Sequence, residues 1–338
     1  MTEMIFIVGN SRSGTTMLGR IFGNHSKVYT FGELHFFENQ IQAKDIYAPS
    51  VWGEKKCINL LTRLITTARD GFFQSPIPER YNSEITQILS EINSRDPISI
   101  YSAFLKYETK LNEKLIPCEQ TPRYLFFSSE ILNKFPKAKI INIVRDPRDV
   151  LLSQKHKWRR KFLGARNIPI LESIRSWVNY HPYTISLLWL GALKKAEEME
   201  AHPRFTTIRF EDLLSKPETT VRSLCSFTGL LFESEMLNVP QIGSSTGSDN
   251  PLLKGINSSN AGKWRSSSLS PTEISICQRV TNTQMRRMGY DLINTDSSLF
   301  LQTISKLTFI LKSSLALILN LNRTKNLRET LLRRLNTK

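Results

Sequence analysis

The chain has 338 residues, 40% hydrophobic and 22% charged, which excludes a disordered or collagen-like polypeptide and leaves room for one large domain or two small ones. With 46 Lys and Arg against 30 Asp and Glu, the formal charge is +16; that favours an anionic partner such as a nucleotide, a sulfated or phosphorylated sugar, nucleic acid or a membrane. Cys57, Cys118, Cys225 and Cys277 are far apart, with no CxxC and no His at metal-ligand spacing, so a reduced interior is expected rather than a disulfide framework or a zinc module.

In chain order, residues 5–8 predict a short apolar strand, and residues 15–23 a helix with Met17, Leu18, Ile21 and Phe22 at helical spacing. A strand this close to the first residue leaves no room for a leader, so a cytoplasmic protein is expected, or one peripheral at the inner face of a membrane. Residues 27–31 predict a second strand, followed by "GELHFFEN". Residues 55–114 are helical in pattern, broken at Pro76–Pro78 and Pro97. Strand-like "LIPCEQ" leads to a helix from about residue 124, and "KAKIINIV" is the clearest buried strand, ending at "RDPRD". A long helix is predicted over residues 171–200, a strand at "FTTIRF", a Gly/Ser/Asn-rich loop from about 240 to 262, and a helix over 270–288.

Strands alternating with helices imply an α/β, P-loop-like three-layer fold, a central parallel sheet flanked by helices. Residues 1–295 form the expected domain and 296–338 a basic, amphipathic helical extension. Apolar residues at 300, 304, 307, 311, 315 and 318 trace a helical stripe interrupted by Lys306 and Lys312. That pattern suits a helix packed on the domain or one lying on an anionic membrane surface better than a span. From Lys306 onward, eight Lys and Arg face Glu329 alone.

The segment "IFIVGNSRSGTTMLGRIFGN" places Gly9, Arg12, Ser13, Gly14, Thr15 and Thr16 between the first strand and helix. Glycines there let the main chain wrap closely, and the helix start points free N–H groups into the loop, which makes a cradle for a phosphate-sized anion. A nucleotide hydrolase needs Lys before the final Ser or Thr; here Thr15 stands there, and the cation is Arg12 inside the loop. No convincing metal carboxylate follows a strand, Asp146 being the one weak candidate, so no metal is expected. A nucleotide 5′-phosphosulfate, which transfers a sulfuryl group and leaves a phosphate, fits this loop better than a triphosphate. Arg12 would neutralise charge on the leaving phosphate oxygen.

With those residues in view, the chain resembles the sulfotransferases that use 3′-phosphoadenosine 5′-phosphosulfate (PAPS). "SRSGTT" is similar to their 5′-phosphosulfate loop, and "IINIVRDPRDVLLSQ" to their 3′-phosphate motif, with Arg145 closing the strand and Ser153 in the next helix. "GELHFFEN" resembles the segment that carries the catalytic Glu of heparan-sulfate-type members. "IRFEDLLSKPE", "LCSFTGL" and "AGKWRSSSLSPTE" resemble later segments of bacterial members. The resemblance runs from about residue 5 to 291. It implies Arg12, Ser13, Gly14, Thr15, Thr16, Arg145, Ser153, Phe210 and Lys263 around PAPS, with Phe210 packing on adenine, and Glu33 as the base, with His35 as the alternative.

Independently of the resemblance, Asp146 and Pro147 read as a helix cap and first helical position, whereas Arg145 sits where open parallel sheets bind ligands. Two departures from the family pattern matter. Gln120 stands where those enzymes carry the Lys of Glu-Lys-Thr-Pro, so either Arg123 supplies that charge or the acceptor needs none. Phe210 replaces a Tyr. Trp264 reads equally as core or ligand-lining. The expectation is a sulfotransferase acting on a hydroxyl of a carbohydrate, lipid-linked or small acceptor, with no nucleic acid partner; the alternatives are a P-loop nucleotide kinase or NTPase, and a non-catalytic binder of nucleic acid or lipid.

Overall fold

The computed structural model describes residues 3–47, 50–163, 168–241, 250–266 and 268–320. Five parallel strands, β1 (Met4–Gly9), β2 (Val28–Thr30), β3 (Ile116–Glu119), β4 (Ala138–Val144) and β5 (Phe205–Arg209), lie in the order β2-β3-β1-β4-β5. β1 is central and buried throughout. Its alternation sends Met4, Phe6 and Val8 into one core with the helices Glu54–Arg69 and Pro97–Leu111, and Ile5 and Ile7 into another with Thr15–Gly23 and Pro217–Thr228. That two-sided burial is why the sequence reads as unbroken apolar runs instead of alternation. A third apolar cluster, under Trp189 and Trp264, joins the helices Pro147–Lys155, Pro182–Met199 and Pro271–Arg287 beside β4.

The predicted elements stand with three differences. The single helix over 171–200 is two, Ile170–Val178 and Pro182–Met199. Pro182 has no N–H to donate and sits at the first helical turn, while His181 before it is extended (φ −151°) and caps the new helix through its ring. The helix placed near 124 begins as a 3₁₀ turn, Pro122–Phe127, and becomes α-helical over Ser128–Lys134. The loop after residue 240 contains a small antiparallel pair, β6 (Pro240–Gln241) and β7 (Asn250–Lys254), its remainder lying outside the described residues. All four cysteines are buried and free.

The last described helix, Leu299–Asn320, packs against the helices Ile170–Val178, Pro182–Met199 and Pro271–Arg287. Its predicted apolar stripe, however, is the face turned away from the domain: Phe300, Ile304, Leu307, Leu311, Leu315 and Ile318 are all exposed. Of the two placements left open by the sequence, a stripe packed on the domain is not the one seen; the opposite face meets the protein, through polar contacts and through Phe309 against the His181 and Tyr183 rings. The basic run from Arg323 to Arg334 lies outside the described residues.

Candidate active site

Every strand of a parallel sheet ends at the same edge, and each of the five carboxyl ends here delivers a segment rich in polar groups. After β1 comes the loop of residues 9–16. Gly9 and Gly14 both have left-handed backbone, φ 152° and 106°. A Cβ on Gly9 would sit 2.5 Å from the Ile143 carbonyl oxygen, and one on Gly14 would sit 2.4 Å from the Phe210 ring. Arg12 has φ 74°, unusual without a glycine. No side chain caps the helix Thr15–Gly23, so its first-turn N–H groups face the loop without that competitor. Ser13 is fully buried, and its hydroxyl has no hydrogen-bond partner. Thr15 is buried and Thr16 exposed.

The segment after β4 closes on that loop. Arg12 Nε donates to Ser153 Oγ at 2.9 Å. Arg145 Nη1 donates to the Arg12 carbonyl at 3.4 Å and Nη2 to the Asn260 carbonyl at 2.7 Å, while its buried Nε has no partner. Asp149 lies 3.7 Å from Arg145 and accepts from the N–H groups of Gly262 (2.7 Å) and Trp264 (2.9 Å). This clamp brings Lys263, more than a hundred residues downstream, beside Arg145. Burial and the Arg145 charge lower the Lys263 pKa, with Asp149 opposing them. Two cations held this close, an orphan guanidinium N–H and an orphan hydroxyl form a site built for an anion.

Phe210, which begins the segment after β5, is buried with Arg145 over its ring at 4.6 Å and Gly14 against its edge. It floors the loop. Asp146 accepts from the N–H of Arg148 and from its guanidinium at 2.7 and 2.9 Å. It caps a helix, as the plain reading of "RDPRD" held. Trp264 is core, stacked 3.8 Å from Arg148. Among the described residues, no three His, Cys, Asp or Glu side chains gather as a metal centre would need.

A second cluster follows β2 and β3. Glu33 is exposed, and its Oε2 lies 3.4 Å from His35 Nε2. On the other side, His35 Nδ1 meets the Glu38 carboxylate at 3.2 Å, and that carboxylate pairs with Arg123 at 3.1 Å. Glu33 and His35, read as alternatives, are thus members of one chain of charges. Burial opposes a charge on His35, but the hydrogen bond and charge of Glu38 and the charge of Glu33 outweigh it and raise its pKa. The ring also packs edge-on against Phe72 at 4.7 Å.

Beneath them Glu119, the last residue of β3, is fully buried. It accepts from Leu34 N at 3.1 Å, Thr121 N at 2.9 Å and the Thr121 hydroxyl, which in turn accepts from Leu34 N at 3.1 Å. Burial pushes its pKa up to about 7 against those donors. Glu119 therefore fixes the turn on which Glu33 and His35 stand. Gln120 is buried against Gly19, and the charge of Arg123 is already engaged by Glu38.

Glu38, Asp149, Glu119 and Asn260 were not singled out from the sequence. Glu38 and Asp149 lie inside the quoted motifs, where an i+3 or i+4 carboxylate beside a named His or Arg was the available signal. Asn260 acts through its main chain, which no side-chain pattern marks.

A model of the sulfotransferase family matches residues 4–234. Sulfotransferase 2A1 of Macaca fascicularis is 27% identical over 179 residues, covering 48% of this chain and 60% of the relative. Carbohydrate sulfotransferase 5 of Mus musculus is 25% identical over 263 residues, covering 67% of this chain and 64% of the relative. The chain thus spans less than two thirds of the length of either. The sulfotransferase domain of the Synechococcus PCC 7002 olefin synthase superposes with a TM-score of 0.50 at 21% identity, over 86% of this chain and 96% of that one, and shares its fold.

Proposed function

This chain belongs to the sulfotransferase family, and on that premise we propose that it moves a sulfuryl group from PAPS to a hydroxyl of a carbohydrate, lipid-linked or small acceptor. The observation that carries the reading is the joined anion site: the loop of Arg12 and Ser13 bonded to Ser153 and Arg145, with Lys263 alongside. It offers two adjacent places for phosphate-like charge, as a 3′-phosphorylated 5′-phosphosulfate requires. The loop N–H groups and Arg12 hold the 5′-phosphosulfate. Arg145, Ser153 and Lys263 hold the 3′-phosphate, and Phe210 supports both through Gly14 and Arg145.

In the reaction, the acceptor hydroxyl attacks sulfur in line and loses its proton to Glu33, while the bond from sulfur to the phosphate oxygen breaks. Arg12 and the helix N-terminus stabilise the charge arriving on that oxygen. His35, held between the Glu33 and Glu38 carboxylates, orients Glu33. The rival phosphoryl-transfer reading lacks its lysine, because Thr15 occupies that position.

Calorimetry with the desulfated product PAP and with 5′-AMP, without added magnesium, tests the assignment. Each charge-assisted contact to the 3′-phosphate contributes on the order of 1.5–3 kcal/mol, so PAP binds at least tenfold more tightly. Equal affinities would refute the 3′-phosphate site.

A further inference from the structure

The helix Leu299–Asn320 is built inside out. The side facing the protein is fastened mainly by polar groups, with Phe309 packed against the His181 and Tyr183 rings at 5.3 and 5.7 Å. Arg279 donates to Gln302 Oε1 at 2.7 Å, Lys312 Nζ to the Tyr180 carbonyl at 3.2 Å, and Arg175 to the Leu319 carbonyl at 3.1 Å, while Asn320 donates to Asn179 Oδ1 at 3.1 Å. The outward side is the apolar one, with Phe300, Leu307, Leu311 and Ile318 between 60% and 71% exposed. Water-facing apolar surface on this scale marks an interaction site.

A second helix extends it. Ile170–Val178 packs against Leu299–Asn320 and exposes Ile170, Leu171, Ile174 and Trp177, with Lys312 4.8 Å over the Trp177 ring. The charge that the pair leaves exposed is basic. Lys306 is exposed on the longer helix, which has no acidic residue, and Glu172 on the shorter one is paired with Arg175. The stretch "KWRRKFL", Lys157–Leu163, packs against the shorter helix and adds Arg159, Arg160 and an exposed Phe162.

We infer that these two helices form a peripheral docking face for a bilayer rich in anionic lipid, with the apolar side chains at the acyl boundary and the cations among the headgroups. The polar staples at both ends and the middle keep the longer helix flat on the domain. Although the stretch Phe300–Asn320 is long and apolar enough to cross a membrane, a span would break those bonds. A second copy of the chain is the other apolar occupant, but it would bring two surfaces of a +16 protein together, whereas an anionic surface neutralises them.

The inference does not depend on sulfuryl transfer, and its test reads neither PAP nor turnover. The full chain is sedimented with vesicles of phosphatidylcholine alone and of phosphatidylcholine mixed with phosphatidylglycerol. Binding is expected to be about tenfold stronger to the mixed vesicles and to weaken with salt. The double variant Leu307→Glu, Leu311→Glu removes it, while Leu231→Glu, at an exposed apolar position elsewhere, keeps it. Equal binding to both lipids, no binding to either, or a salt-resistant dimer that the double variant separates would each overturn the inference. The wild-type lipid comparison decides the matter even where a variant fails to fold.

Discussion

Arg12 Nε donates to the Ser153 hydroxyl at 2.9 Å across 141 residues of sequence, tying the loop after β1 to the helix after β4. The bond orients a cation whose backbone is already in a left-handed conformation, so charge and position are separable by mutation. Arg12→Ala removes both and is expected to lower turnover by about 10²–10³-fold, as loss of a transition-state donor does, with weaker PAP binding. Ser153→Ala leaves the charge and is expected to cost about tenfold in PAP affinity. Steady-state kinetics and calorimetry on the two variants check this; unchanged turnover in Arg12→Ala would remove the arginine from the mechanism.

The row of Glu33, His35 and Glu38 assigns different tasks to neighbouring groups. Glu33→Gln is expected to leave PAP affinity nearly unchanged and to reduce turnover by about 10²–10⁴-fold. His35→Asn, which keeps a polar partner, is expected to cost less. If Glu33→Gln retains near-normal turnover and His35→Asn does not, the base is His35.

Glu38 is the first of the influences that raise the His35 pKa against burial. Its replacement, Glu38→Gln, is expected to lower the midpoint of the His35 ring titration followed by NMR. The sign for stability follows from linkage. A histidine with a raised native pKa contributes fully below its unfolded value near 6.5, and loses that contribution as pH rises through the native value. A His35 midpoint indifferent to Glu38→Gln would show that the pair is not coupled.

For Glu119 the sign is opposite to that of an ordinary paired carboxylate. Its native pKa of about 7 lies above the unfolded 4.5, so the native state binds the extra proton between those values. Stability is expected to fall as pH rises from 4.5 to 7, by no more than about 1.4 kcal/mol per unit from this group. In Glu119→Gln that slope disappears, which denaturant melts at three pH values would reveal.

Gly9 and Gly14 have no room for a methyl group. Gly9→Ala meets the rigid Ile143 carbonyl at 2.5 Å and Gly14→Ala the Phe210 ring at 2.4 Å, both at positive φ. Each is expected to cost on the order of 1–3 kcal/mol in unfolding free energy and to abolish measurable PAP binding. Phe210→Ala in the Gly14→Ala background opens the space and should recover part of the stability; no recovery would place the cost in the backbone alone.

Local pattern determined a good deal. The apolar run at 5–8 and the largely apolar stretch at 137–144 marked the strands that are buried on both faces, because two-sided burial leaves its signature in nearly every residue. Glycines at 9 and 14 and the displaced cation at 12 marked the loop, because a close backbone turn can be read from the absence of side chains. The proline at 182 also carried its signal, a helix break that apolar spacing across it obscured. Groups that meet only through the fold were decided by tertiary structure. The sheet order sets β1 beside β4, and thereby Arg12 on Ser153, while the Asp149 clamp on Gly262 and Trp264 sets Lys263 beside Arg145. The left-handed turn at His35 joins Glu33 to Glu38. The stripe after residue 299 was legible in the sequence, but its direction was not. Spacing shows that a helix has an apolar face; which face meets the protein depends on the partners that the neighbouring helices offer, and here those partners are mostly polar, with the His181 and Tyr183 rings receiving Phe309.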